Sequence, residues 1–363
     1  MTILNKNKCL LGLICHPNIG IQTIKKILLA YDNDIEKAWT ASQDDLAKRL
    51  DKKIILLLTD ARNKFDPDTE IAKLAKLDVG YVTMYDKAYP ELLKELYDFP
   101  PVLFVKGNIE VLKAKSLGVV GSRKYSSYGA KMSHKFSKEC AENGLVIVSG
   151  LALGIDAIAH QASIDVGTPT IGVLGCGLDR VYPVSNYHLG EAIIRGGGAI
   201  ISEYPLGTPP MKQNFPQRNR IIAGLSVGTL VIEAAEHSGA LITAYSALEN
   251  NRDVFAIPGN IDAETSYGTN ELLKKGAKLV TKVEDILEEM DIKLVEDHIK
   301  YEEYVPKTPE EKLVFDILKT DSKSADEMVA ETKMNVIALN ATLSIMELSG
   351  IIHNIGGGRY KLK

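Results

Sequence analysis

The stretch Leu117-Gly118-Val119-Val120-Gly121-Ser122-Arg123-Lys124 is an apolar run that stops at a glycine turn, and a helical segment, Tyr128–Ala141, follows it. In an open α/β sheet a buried strand gives way to its crossover helix in this manner, and a small turn lets backbone amides approach a phosphate. The arrangement recurs. Leu145–Val148 leads into Ser149-Gly150-Leu151-Ala152-Leu153-Gly154-Ile155-Asp156, and Thr170–Leu174 into Gly175-Cys176-Gly177. After Thr229–Ile232 comes Ser238-Gly239-Ala240-Leu241-Ile242-Thr243, which opens a helix. A single glycine turn says little, because glycine is also the default where a helix packs tightly on a strand. Four of them, the first carrying an Arg-Lys pair, predict an anion site at one edge of a sheet.

Further apolar runs lie at Val79–Met84, Val102–Val105, Ala199–Ile201 and Val254–Ile257. Several are apolar at both odd and even positions, as strands covered on both faces must be. Helical segments at Asp156–Asp165 and Ala240–Asn250 separate others. This alternation predicts a Rossmann-like, doubly wound, mostly parallel α/β sheet over residues 76–290. Strand order is not legible.

Residues 1–75 read as short helices. His16-Pro17-Asn18-Ile19-Gly20-Ile21 is a turn, followed by Ile24, Ile27, Leu28 and Tyr31 at helical spacing. With Lys25 and Lys26 this is the outline of a small helical domain of the SAM or helix-hairpin-helix kind. Residues 291–305 read as a linker. Residues 306–363 carry helical segments near 309–319, 324–331 and 335–348, and then a hairpin around Gly356-Gly357-Gly358, which together outline a winged helix. Eight basic and eight acidic residues balance in that last piece, which favours a docking or regulatory module over a strong DNA reader.

The 363 residues carry a formal net charge of −4, so a nucleic-acid site must be a local collection of cations. Cys9, Cys15, Cys140 and Cys176 form no C-x-x-C pair, and thiols in a reducing cytoplasm are expected. The apolar stretch after Lys6 and Lys8 ends at His16-Pro17, too early for a secretion signal, and no run approaches the roughly 18 residues of a membrane span. A cytoplasmic protein with no membrane segment is expected.

Lys212-Gln213-Asn214-Phe215-Pro216-Gln217-Arg218-Asn219-Arg220 identifies the anion. It places three cations around an aromatic ring, and single-stranded nucleic acid needs cations for its backbone and a ring face for an unstacked base. Pro216 suits the first turn of a helix. Enzyme motifs fare worse. No Gly-Lys dipeptide occurs, which excludes a Walker A loop. In Gly175-Cys176-Gly177-Leu178-Asp179-Arg180, Arg180 stands where a dinucleotide fingerprint needs a small residue. Gly224-Leu225-Ser226-Val227-Gly228 spells a hydrolase elbow, but a helix precedes Ser226 and a strand follows, the reverse of what an elbow needs. Asp156 and His160 share a helix face with no third partner in reach, and read as a structural cap and a packed histidine. Neither a metal nor a cofactor is expected.

The central residues resemble the DprA/Smf DNA-processing proteins of bacteria. The resemblance rests on Gly121-Ser122-Arg123, Val148-Ser149-Gly150 through Gly154-Ile155-Asp156 to Ala159-His160, and Gly172-Val173-Leu174-Gly175 to Tyr182-Pro183. Phe215-Pro216-Gln217-Arg218-Asn219-Arg220 through Ser226, Ser238-Gly239-Ala240-Leu241-Ile242-Thr243-Ala244 and Pro258-Gly259 complete it, in order, over residues 80 to 290. It implies an extended Rossmann domain that binds single-stranded DNA, protects it and delivers it to the RecA recombinase during natural transformation, without catalysis and as a homodimer. Carried over by position, Arg123, Lys212, Phe215 and Ser238 are the DNA contacts, beside the backbone of Gly121, Ser122 and Gly239. Arg218 and Arg220 either contact DNA or hold the pocket together. The alternative from another class is a Rossmann-like hydrolase of the glycosidic bond of nucleoside monophosphates, with Val227-Gly228-Thr229 and Glu233 as its nearest counterpart. The missing double glycine counts against it.

Overall fold

A computed structural model describes residues 5–290, 306, 308–319, 322–349, 351–356 and 358–362. The chain divides into two compact units, Met1–Val295 and Glu296–Lys363.

The first unit is built on a nine-stranded sheet: β1 (Gly80–Thr83), β2 (Val102–Gly107), β3 (Ser116–Val120), β4 (Val146–Ser149), β5 (Thr170–Leu174), β6 (Ala199–Ser202), β7 (Gly228–Val231), β8 (Asp253–Ala256) and β9 (Lys278–Leu279). Their order is β1-β2-β6-β5-β4-β3-β7-β8-β9. The seven strands from β6 to β9 in that order pair in parallel, and β2 runs antiparallel to both of its neighbours. From β3 the chain winds out through β4 and β5 to β6, then returns to the other side of β3 at β7. The reversal between β3 and β7 is the switch point where open α/β sheets keep their ligand crevice.

Both faces of the central strands are buried, which is why the runs are apolar at every position. Val120, Val148, Val173 and Val231 pack against Ile221, Ile222, Leu241 and Ala244 of helices Asn214–Leu225 and Gly239–Glu249. Leu117, Val119, Ile147 and Leu230 pack on the opposite face with Phe136, Cys140, Ile155 and Ala159 of helices Ser127–Glu142 and Ile155–Asp165. Each Val, Leu, Ile and Phe among them contributes about 1.5–3 kcal/mol when fully buried.

Six short helices between Lys6 and Lys76 precede the sheet. The Lys6–Ile14 helix buries Cys9, Leu10, Leu11, Leu13 and Ile14, and Ile24, Ile27, Leu28 and Tyr31 join them. This cluster continues into Val102, Phe104, Leu174 and Ile200 of the sheet, so the helical piece and the strands share one core. Among the described residues no helix is long and apolar enough to cross a membrane.

In the second unit, helices Pro309–Leu318, Ala325–Thr332 and Val336–Leu348 pack around Val314, Met328, Leu339, Leu343 and Met346. Strands β10 (Lys323–Ser324), β11 (Ile352–Gly356) and β12 (Arg359–Leu362) form an antiparallel sheet in the order β10-β12-β11. Helices and hairpin fall where the sequence placed them, and this is a winged helix. The linker expected at 291–305 lies outside the described residues.

Candidate nucleic-acid interface

Parallel pairing of β5, β4, β3 and β7 forces the turns after them to one edge of the sheet. Two glycines make the close approach possible there. A Cβ on Gly121 would stand 2.7 Å from Ile155, and one on Gly154, whose φ is +85°, would stand 2.5 Å from the Ser122 carbonyl oxygen. Ile155 N–H donates to that carbonyl at 3.3 Å, locking the first turn onto the second.

A groove of about 1120 Å³ opens above this edge, lined by Gly121, Ser122, Arg123, Lys124, Lys212, Phe215, Ser238 and Gly239. Tyr182, Arg218, Asn219 and the Ile261–Thr265 segment complete its wall. Of the nine residues singled out in the sequence, eight meet here. The ninth, Arg220, does not. It is buried away from the groove, with Nε 2.8 Å from Asp98 and Nη2 2.6 Å from Glu203. Burial raises the Glu203 carboxyl above its ordinary range despite that partner.

Arg123, Lys124 and Lys212 are exposed, and Arg123 makes no ion pair among the described residues. Its guanidinium stands 5.8 Å from the centroid of the half-buried Phe215 ring, on which Tyr182 stacks at 5.5 Å and 29°. The Ser122 hydroxyl is spent within its own turn, donating to the Lys124 carbonyl at 2.7 Å. Ser238 caps the Gly239–Glu249 helix, accepting from Ala240 N–H at 3.3 Å, so the free amides of that amino end face the groove.

Arg218 lines the groove and is also tied into its frame. It is buried, donating from Nη1 to the Gly150 carbonyl at 2.5 Å and to the Val173 carbonyl, and from Nε to the Asn219 side chain at 3.2 Å. Asn219 in turn donates to the Gly239 carbonyl at 3.1 Å. This chain ties the ends of β4 and β5 to the helix start across the groove. Burial lowers the Arg218 pKa to about 10, still charged at neutral pH. Asp156 accepts from Gly150 N–H at 3.1 Å and Ala152 N–H at 3.4 Å, holding the β4 turn as a cap. Its pKa is raised by burial, against the attraction of Arg218.

His160 is a packed histidine. The Thr170 hydroxyl donates to the Ile147 carbonyl at 2.6 Å, so it accepts from His160 Nδ1–H at 2.8 Å. Nε2 is left with no partner among the described residues. Ser226 follows a helix and precedes β7, and its hydroxyl donates to the Ile222 carbonyl at 2.8 Å. Glu233, the acid of the hydrolase alternative, is buried and accepts from Ser126 N–H at 2.9 Å, the Ser126 hydroxyl at 2.5 Å and Thr265 at 3.2 Å. It fastens two loops together.

An open doubly wound domain with exposed cations, aromatic rings and a helix amino end at its switch point, on a chain that also carries a winged helix, defines a class of polyanion-binding proteins. Residues 80–291 match the family model for DNA recombination-mediator protein A, and 302–358 match the DprA winged helix domain. Protein Smf of Escherichia coli is 41% identical over 281 residues, covering 76% of this chain and 75% of the relative. The DNA processing protein DprA of Streptococcus pneumoniae is 49% identical over 209 residues, 58% and 73% of the two chains. The X-ray structure of the Streptococcus pneumoniae DprA superimposes with a TM-score of 0.68 at 40% identity, over 80% of this chain and 99% of that one. A Helicobacter pylori DNA processing protein A, solved for its single-stranded DNA binding mode, gives 0.53 at 31% identity, over 58% and 95%. The chain belongs to the DprA/Smf family of DNA-processing proteins.

Proposed function

We propose that this protein binds single-stranded DNA in the switch-point groove without a catalytic step, protects it, and hands it to the RecA recombinase during natural transformation. The observation that carries the DNA reading is one groove lined by exposed Arg123, Lys124 and Lys212 together with the Phe215 ring, over which Arg123 stands. Cations without a ring would serve any polyanion, and a ring without cations would be core. Both together suit an unstacked strand. Binding to single strands by the Helicobacter pylori relative supports the same reading. Delivery to RecA, action as a homodimer and residence in the cytoplasm rest on family membership.

Fluorescence anisotropy with an oligo-dT and a duplex of equal length, at matched salt, tests the proposal. Tighter binding of the single strand is expected, and equal affinity for both would overturn it. Sedimentation at micromolar concentration is expected to show a dimer, and loading of RecA onto the bound strand is expected to be faster than onto naked DNA.

A further inference from the structure

The Phe215 ring is already engaged on the protein's own side. Tyr182 stacks on it at 5.5 Å, and the Arg123 guanidinium lies 5.8 Å from its centroid. A base inserted between ring and guanidinium would need two contacts of about 3.5 Å, or about 7 Å in all. Tyr182 differs. It lines the groove, is 41% exposed, and has no cation or second ring on its other face among the described residues. We infer that Tyr182 is the surface on which a base of the bound strand stacks, with Phe215 as its backing and Arg123 as the phosphate grip beside it. The inference rests on the single-stranded DNA reading and adds a residue to it.

Offset-stacked rings present their outer faces, and a half-exposed tyrosine backed by a half-buried phenylalanine is a rigid one. Stacking of a base on an aromatic side chain is sequence-tolerant, so Tyr182 would favour single strands without choosing among them.

The test pairs the side chain with the base it would hold. Tyr182→Ala is expected to weaken binding of oligo-dT about fivefold or more, the lower end of the effect of one lost stack. Tyr182→Leu, which keeps apolar bulk against Phe215 but no ring, should weaken it similarly, and Tyr182→Phe should leave it within about twofold. Against an abasic oligonucleotide of the same length, wild type and Tyr182→Ala should bind alike. Tyr187, an exposed tyrosine outside the groove lining, supplies the control, and Tyr187→Ala should change nothing. Undiminished oligo-dT binding by folded Tyr182→Ala or Tyr182→Leu, an equal loss on the abasic strand, or an equal loss in Tyr187→Ala would overturn the inference and leave the DNA reading standing. Wild-type protein that fails to bind oligo-dT would overturn both.

Discussion

Arg218 donates a 2.5 Å hydrogen bond to the carbonyl of Gly150, sixty-eight residues earlier in the chain, and thereby fixes the turn after β4 to the helix that walls the groove. An arginine in a motif full of DNA-facing candidates is thus part of the frame. Its guanidinium is spent on the carbonyls of Gly150 and Val173, at the ends of β4 and β5.

Arg218→Met should therefore cost about 3 kcal/mol of stability, since it removes the charged donor to the buried Gly150 and Val173 carbonyls and the largest attraction on buried Asp156. Urea denaturation measures this. Lys212→Ala, by contrast, should weaken oligo-dT binding with the denaturation midpoint unchanged, because Lys212 is exposed. Loss of affinity in Arg218→Met with full stability would return Arg218 to the interface.

Removing Arg220 isolates Glu203 in the core. Arg220→Met should destabilise by about 3–5 kcal/mol, the cost of breaking a buried pair from one side, and Arg220→Met with Glu203→Met should recover most of it. Stability of the single and double variants checks this. The folded fraction should keep its affinity for DNA.

Stability should fall with acid through His160. Burial lowers its folded pKa to about 3, against an unfolded value of about 6.5. A depressed folded pKa gives stability that is complete above the unfolded value and is lost as pH drops toward the folded one. Between pH 7 and pH 4 the loss from this group should be about 3 kcal/mol. His160→Gln, compared with wild type at both pH values, should show a smaller decline. An identical decline would mean that His160 does not carry it.

The DNA complex should depend on salt through three exposed cations, Arg123, Lys124 and Lys212. At roughly −0.7 per phosphate contact on single strands, the log-log slope should be about −2 per protomer, and each alanine substitution should flatten it by about 0.7. Arg123→Ala should also cost about ten- to a hundredfold in affinity, with Arg123→Lys recovering part, because only a guanidinium grips two phosphate oxygens. Titrations at three salt concentrations measure both. An unchanged slope in Arg123→Ala would remove that residue from the site.

The strands, their glycine turns and the winged-helix elements were legible because they are local properties. Residues apolar at every position demand cover on both faces, and the breaks between them demand turns. Only the fold fixed the strand order, since it depends on pairings such as β3 with β7, over a hundred residues apart. The same limit explains the arginines. Lys212, Arg218 and Arg220 lie within nine residues and look alike in sequence, yet Lys212 is exposed while Arg220 meets Asp98 and Glu203 and Arg218 meets Gly150 and Val173. Those partners come from distant segments. Tyr182 escaped for the same reason, since its contact with Phe215 joins a loop to the first turn of a helix thirty-three residues on. Sequence alone determined which chemistry stands at the sheet's edge, because residue type and spacing set it. Tertiary structure decided which cations face the groove, because burial and pairing depend on neighbours brought together from far along the chain.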